Sequence, residues 1–404
     1  MKHRLKTPRI AGIDPSGQID RRDTLLLAAL ASALALAGCG GGASGGGAVA
    51  GVTSGGTGSF STGAITGFGS IFIGAIRFDD SKASRIVDVD DDNTDLRGQL
   101  KLGMVVRVKG QARIGTSVDA ETIEVRSELL GPVSRIDAAT LTVLGQTVQL
   151  TATTFFGDGL AGLTSLAVNN IVEVHGFVNA QNNTITATRI DRKSAGSVKA
   201  YKLQGFVQRL TANTFQIAEL VINTAAAIAL PNSPVLANGL LVRLRLEPTL
   251  SAGSRNAISI RSVELEVSDR TEADVEGTIT ALTSDSQFSV NGLAVQASGA
   301  VVPPGLKLGD RVDVEGALVK GVLVAKTVKL EDEKDPLKFE LNGAVSSLNL
   351  TAKTFLVRGV TVDYSAAEFR NGTLSSLIDT VVVEVKGVAS ADGVRINATR
   401  ISFR

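Results

Sequence analysis

Side chains able to do covalent or acid-base chemistry are scarce in this 404-residue chain, which has one cysteine, Cys39, two histidines, His3 and His175, and no tryptophan. A zinc site draws on several Cys or His ligands, and this chain cannot supply them. An imidazole is the usual proton shuttle near neutral pH. His175 stands at a strand end, in "IVEVHG", where equivalent segments place Lys109, Glu315 or Lys386. A position that accepts either sign of charge reads as a solvated face, and no Ser/His/Asp triad gathers around it.

Oxygen ligands are commoner. The stretch "DVDDDNTD" sets Asp88, Asp90 and Asp92 at alternate positions, as at the start of a calcium loop. Asn93 stands where an EF-hand requires glycine, however, and Gln99 where it closes with glutamate. These three aspartates are the candidate metal ligands, with a long solvated connection as the other reading. No further cofactor is expected. Nothing singles out a carboxylate pair for glycoside hydrolysis.

Cys39 belongs to a different kind of chemistry. Residues 1–23 carry Lys2, Arg4, Lys6, Arg9, Arg21 and Arg22, and Thr24 to Ala37 form a run of fourteen uncharged, mostly apolar residues. That run is short of the roughly 20 residues of a membrane span, and it suits a signal-peptide core. The segment Leu36, Ala37, Gly38, Cys39 resembles the lipobox of bacterial lipoproteins. The resemblance implies cleavage before Cys39, a diacylglyceryl group on its thiol, an acylated amino terminus and, with Gly40 following, sorting to the outer membrane. Two or three acyl chains give the durable anchoring that one chain does not. Arg21-Arg22 also suits twin-arginine export, although Thr24 departs from that pattern. Without residues 1–38 the chain keeps 35 basic and 37 acidic groups, which gives no global field for nucleic acid.

The glycine-rich stretch from Gly40 to Gly58 cannot bury enough surface to fold and reads as a flexible tether. Beyond it the chain repeats at intervals of about 70 residues, each copy opening on an early glycine: Gly63, Gly131, Gly205, Gly277 and Gly343. A hairpin follows. In "QFSVNGLAV" the alternation places Phe288, Val290, Leu293 and Val295 on one face of a two-residue turn. The equivalent positions are Ile71, Ile73, Ile76 and Phe78; Leu141, Val143, Gln146 and Val148; Phe215, Ile217, Leu220 and Ile222; and Phe355, Val357, Val360 and Val362. Gln146 is out of character, and Ala218-Glu219 suggests a looser loop.

A variable connection, a fourth strand and a fifth strand complete each unit. The fold expected is therefore all-β: a tandem array of five small, five-stranded, OB-like Greek-key barrels. The predicted organisation is a signal peptide over 1–38, a tether over 39–58, and repeats over 59–128, 129–192, 203–268, 275–332 and 339–404. Polar linkers are expected between units, including Asp191 to Lys202, Ser268 to Asp274 and Glu331 to Pro336, and with them a semi-rigid string of beads. The motifs Gly277, Phe288, Val290, Gly292, Gly309, Asp310, Val312, Val314 and Gly316 resemble a family of bacterial envelope repeats of unknown function. Repeat 3 departs from the pattern, with Glu247 where the terminal glycine is expected.

These features point to a non-enzymatic envelope lipoprotein acting as a spacer or interaction scaffold. Its expected partners are the membrane, through the lipid, and another envelope protein or a glycan. The alternative is a module binding glycan or nucleic acid in an OB groove, and a hydrolase is a third reading. Phe215, Phe288 and Phe355 fall at core positions, leaving Phe68, Phe156, Phe206 and Tyr201 as candidate stacking rings. Strands of about five residues argue against an outer-membrane barrel, which needs about nine to eleven.

Overall fold

The computed structural model describes residues 58–404 apart from 74–75, 90–93, 113–116, 158, 226, 228–233, 252, 264–267 and 332–337. Leu36, Ala37, Gly38, Cys39, the tether up to residue 57, the Gly74-Ala75 turn, Asp90 and Asp92 lie outside the described residues.

Alternating apolar residues fix the hairpins, and the observed registers are those the pattern predicts. Phe288 pairs with Val295 and Val290 with Leu293. The corresponding pairs hold in the other four units, Ile71 with Phe78, Leu141 with Val148, Phe215 with Ile222 and Phe355 with Val362. Ala218-Glu219 closes a two-residue turn after all, since Ile217 pairs directly with Leu220, and Ala218 adopts φ 47° to do so. A side chain there is strained, so Ala218→Gly is expected to stabilise the chain by about 0.5–1 kcal/mol. A higher urea midpoint would show it.

Each hairpin is built into a closed barrel with strand order 1-2-3-5-4-1. In barrel 4 the first strand, Arg270–Ser284, pairs with Gln287–Val290, which pairs with Leu293–Gln296. That strand lies parallel to the fifth, Val322–Leu330, and the fourth, Arg311–Val319, joins the fifth back to the first. The same circuit recurs five times, reduced in barrel 3 to a single Gln208–Gln216 bridge at the first joint. The protein is all-β with OB-like barrels, and no α-helix occurs among the described residues. The long third connection contributes a short extra strand parallel to the fifth: Arg85–Asp88 in barrel 1, Phe155–Phe156 in barrel 2 and Glu368–Arg370 in barrel 5. These additions place Asp88 and Phe156.

Outside the hairpins, strands are longer than expected. First strands reach 15 residues in barrel 4 and 12 in barrel 5, so strand length does not separate these units from membrane barrels. Fourth strands shift register just past a charged or imidazole side chain, at Lys109/Gly110, His175/Gly176, Glu315/Gly316 and Lys386/Gly387. A Cβ on Gly176 would lie 2.2 Å from the Thr186 carbonyl oxygen, so glycine admits the bulge. In barrel 3 the shift falls at Arg245/Leu246. Leu246, buried in the core, holds the glycine place there, and Glu247 is one residue beyond it.

The string of beads is replaced by direct packing. The stretch Ser268 to Asp274 is largely strand, and Ser59–Thr62 of barrel 1 pairs parallel with Glu272–Val275 of barrel 4. Gly67 and Phe68 pair with the first strand of barrel 5. Barrels 2 and 3 join through Leu129–Leu130 against Leu203–Lys202 and share one apolar core, as barrels 1 and 5 share another. Gln146 finds its reason here: fully buried, its side-chain amide donates across to the Ile217 carbonyl of barrel 3 at 2.9 Å. Barrel 2 is the hub. Besides barrel 3 it meets barrel 4, where the Thr278 hydroxyl donates to the Val178 carbonyl at 2.6 Å, and barrel 5, where the Phe156 N–H donates to the Gly393 carbonyl at 2.8 Å.

Candidate functional site: a cationic cleft between barrels

The fourth strand of barrel 2, Ile171–Val178, is buried along its whole length. Alternation puts Glu173 and His175 on its outward face, and that face meets other barrels instead of water. His175 is therefore not solvated as its strand-end position suggests; it is 1% exposed. Its Nδ1 lies 2.9 Å from the Arg126 carbonyl oxygen and 3.4 Å from the Val105 nitrogen, both in barrel 1. A carbonyl only accepts, so the shorter contact assigns the proton to Nδ1. Burial pushes the imidazole below its usual value, against the attraction of Glu173 and Asp191.

Around this residue lies a network of paired charges. Glu173 accepts from Lys193 at 2.6 Å and faces Lys202 at 3.6 Å, while Lys202 reaches Asp88 of barrel 1 at 2.6 Å. Burial alone would raise the Glu173 carboxyl, but attraction from His175, Lys202 and Lys193 outweighs it and lowers the value to about 2. Because burial keeps His175 neutral near pH 7, the two lysines are what hold the carboxylate ionised there. Arg189 forms a bidentate pair with Asp191, 2.7 Å on each arm, and donates to the Leu102 carbonyl of barrel 1 at 3.1 Å. Beside it the Thr188 hydroxyl donates to the Gly103 carbonyl at 2.6 Å.

These residues floor a cleft of about 770 Å³ between barrels 1, 2 and 3. Among the described residues seven cations line it, Lys101, Arg189, Arg192, Lys193, Lys199, Lys202 and Arg245, against three carboxylates, Asp88, Glu173 and Asp191. The floor is neutralised by internal pairs, whereas Arg192 and Lys199 stand exposed at the rim. A smaller cleft of about 400 Å³ adjoins it, shares Lys101 and Arg189, and is lined beyond them by Phe156, Gly157, Gly159, Gly359, Thr361 and Arg395.

Much of the larger cleft's wall is the stretch Asp191 to Lys202, which reads as a polar linker. The sequence signal was present in the density of Arg192, Lys193, Lys199 and Lys202 within it. Of the candidate calcium ligands, Asp88 is held by Lys202, and Asp90 and Asp92 lie outside the described residues. Among those residues no cluster of three or more His, Cys, Asp or Glu is arranged to hold a metal ion. Phe215, Phe288 and Phe355 are core residues, as expected. Tyr201 and Phe206 are corrections: both are 7% exposed, and the Arg255 guanidinium lies 4.9 Å from the Tyr201 ring centre. Phe68 and Phe156 remain partly exposed.

Residues 131–191, 276–329 and 342–402, which fall in barrels 2, 4 and 5, match a family described as a domain of unknown function, DUF5666. The chain thus carries repeats of a domain of unknown function built as OB-like barrels. No curated protein matches it. A solved Drosophila structure titled "drosophila Unr CSD456" aligns with 51% of this chain and 98% of its own at 14% identity, with a TM-score of 0.13, too low to bear on fold or function.

Proposed function

We propose that the chain is a non-enzymatic interaction scaffold of the bacterial cell envelope, held at the outer membrane by lipid on Cys39, that captures an anionic partner in the cleft between barrels 1, 2 and 3. One observation carries this reading: the excess, among the described residues, of seven cations over three carboxylates in a single cleft, on a chain with a formal charge of only +1. A local positive field in a concave site concentrates anions even when the whole protein is nearly neutral. The paired floor fixes the geometry, and the rim cations are available to a ligand. The lipobox resemblance of Leu36, Ala37, Gly38 and Cys39 supports the anchor.

The test uses the full chain and inorganic polyphosphate as a charge-only probe. Arg192→Glu with Lys199→Glu is expected to weaken binding at least about tenfold, with the wild-type interaction fading as salt rises. Equal binding by the variant would remove the cleft from consideration. In parallel, Cys39→Ser is expected to leave an unlipidated precursor or a released protein. Unchanged membrane fractionation with retained fatty-acid labelling would refute the anchor.

A further inference from the structure

We propose that the ligand of this site is an acidic oligosaccharide lying across both clefts, with acidic groups over the larger one and a sugar ring against Phe156 in the smaller. The inference rests on the cationic-cleft reading and extends it to a ligand class.

Three features of the paired clefts lead there. First, charge and ring are segregated. Among the described residues no Phe or Tyr lines the larger cleft, while the smaller has Phe156, partly exposed. Single-stranded nucleic acid carries a phosphate and a base on every unit and is held by cations and stacking rings interleaved along one groove. A sugar chain has no such requirement, because acidic and neutral faces can be presented separately.

Second, the smaller cleft is a shelf. Leu102, Phe155 and Leu160 contribute to it but are each under 7% exposed. What a ligand meets among the described residues is the Phe156 ring, the small aliphatic side chains of Ala161, Val360 and Val394, the Thr361 and Arg395 side chains and bare backbone. A Cβ added at Gly159 or Gly359 would have no heavy atom within 4 Å, so main-chain groups there are uncovered. An apolar peptide anchor wants a deep apolar pocket. A pyranose offers a flat apolar patch for the ring and hydroxyls for the polar groups around it.

Third, the two clefts meet at a fixed ridge. Arg189 is committed to Asp191 on two arms and to the Leu102 carbonyl on a third, so it cannot swing away to chase a ligand. Lys101 stands beside it on both clefts. The ridge therefore keeps the cationic and aromatic compartments at one separation, which suits an extended chain of linked rings. Both volumes fall in the range of about 300–1,000 Å³ typical of small-molecule sites.

The experiment titrates the full chain by calorimetry with hexagalacturonate, with polyphosphate of the same charge, and with a hexaglutamate peptide ending in phenylalanine. Hexagalacturonate is expected to bind about tenfold tighter than either rival. Phe156→Leu is expected to erase that advantage without altering polyphosphate binding, and Phe156→Tyr to restore it. Equal affinity for all three probes, indifferent to Phe156, would overturn the oligosaccharide and leave the anion cleft standing. Tightest binding by the peptide would overturn it in favour of a protein partner. No binding of any anion would overturn both readings. Circular dichroism confirms that the Leu and Tyr variants share the wild-type fold, so a loss in one alone reports the ring contact.

Discussion

Replacing Glu173 by alanine is expected to destabilise the folded chain by about 3–5 kcal/mol, the range for removing one partner of a buried ion pair. Its carboxylate is 6% exposed and faces Lys193 and Lys202. Without it the Lys202 ammonium, which also reaches Asp88, loses one of the carboxylates that face it. Glu173→Gln keeps the shape but not the charge and should fall between wild type and alanine. The pH dependence follows from the same group. With a folded value of about 2 against an ordinary 4.5, the contribution of Glu173 is whole above pH 4.5 and is lost as pH falls toward 2.

His175 adds an earlier step of the same sign. The neutral ring is the buried form, so its contribution is whole above pH 6.5 and drains as pH falls below that. Asp313 and Glu331 oppose it: burial raises both, and their penalty relaxes as pH falls and they take up protons. Urea denaturation at pH 7.5, 5.5 and 4 separates these contributions. His175→Gln should abolish the loss between 7.5 and 5.5, and Glu173→Ala should shift the midpoint at every pH. An unchanged midpoint for Glu173→Ala at pH 7.5 would show that the junction is wet and the pair dispensable.

How much of this was readable depends on what alternation means. Phe288, Val290, Leu293 and Val295 alternate against polar neighbours, and a two-residue turn leaves one register that buries them all, so the barrels could be read from hairpins. Glu173 and His175 alternate just as well. Alternation says only that they point out of their own barrel, and it carries no information on whether a second barrel waits outside. The solvated reading of His175 failed for that reason, since Lys109, Glu315 and Lys386 occupy the same slot without being buried. Gln146 was the one visible sign of an interface, a polar residue in an apolar slot, and its partner 71 residues away was beyond local pattern. The stretch Asp191 to Lys202 misled for a related reason. Short polar segments rich in Ser, Gly and Lys are usually solvated connections, and only the packing of barrels 2 and 3 turns this one into the wall of a cleft.

Arg189 offers the sharpest separation of stability from recognition. Arg189→Ala strands the Asp191 carboxylate and the Leu102 carbonyl together, and a loss of about 3–5 kcal/mol is expected. Arg189→Lys should recover little of it, because one ammonium cannot serve both carboxylate oxygens and a carbonyl on the neighbouring barrel at once. The damage should be local first. Amide hydrogen exchange is expected to rise at Leu102 to Val106 of barrel 1, which Arg189 and Thr188 hold against barrel 2, before it rises in the hairpin of barrel 4, whose core is separate. Replacing the pair together, with Arg189→Met and Asp191→Leu, should return most of the stability, since matched apolar groups often do as well as a buried ion pair. The larger cleft would still have lost a cation and a carboxylate, and the smaller one the guanidinium that the two share. If that double variant folds with wild-type stability and binds hexagalacturonate as wild type does, the ridge serves only the docking of barrel 1 on barrel 2. Full stability with lost binding would assign Arg189 both tasks.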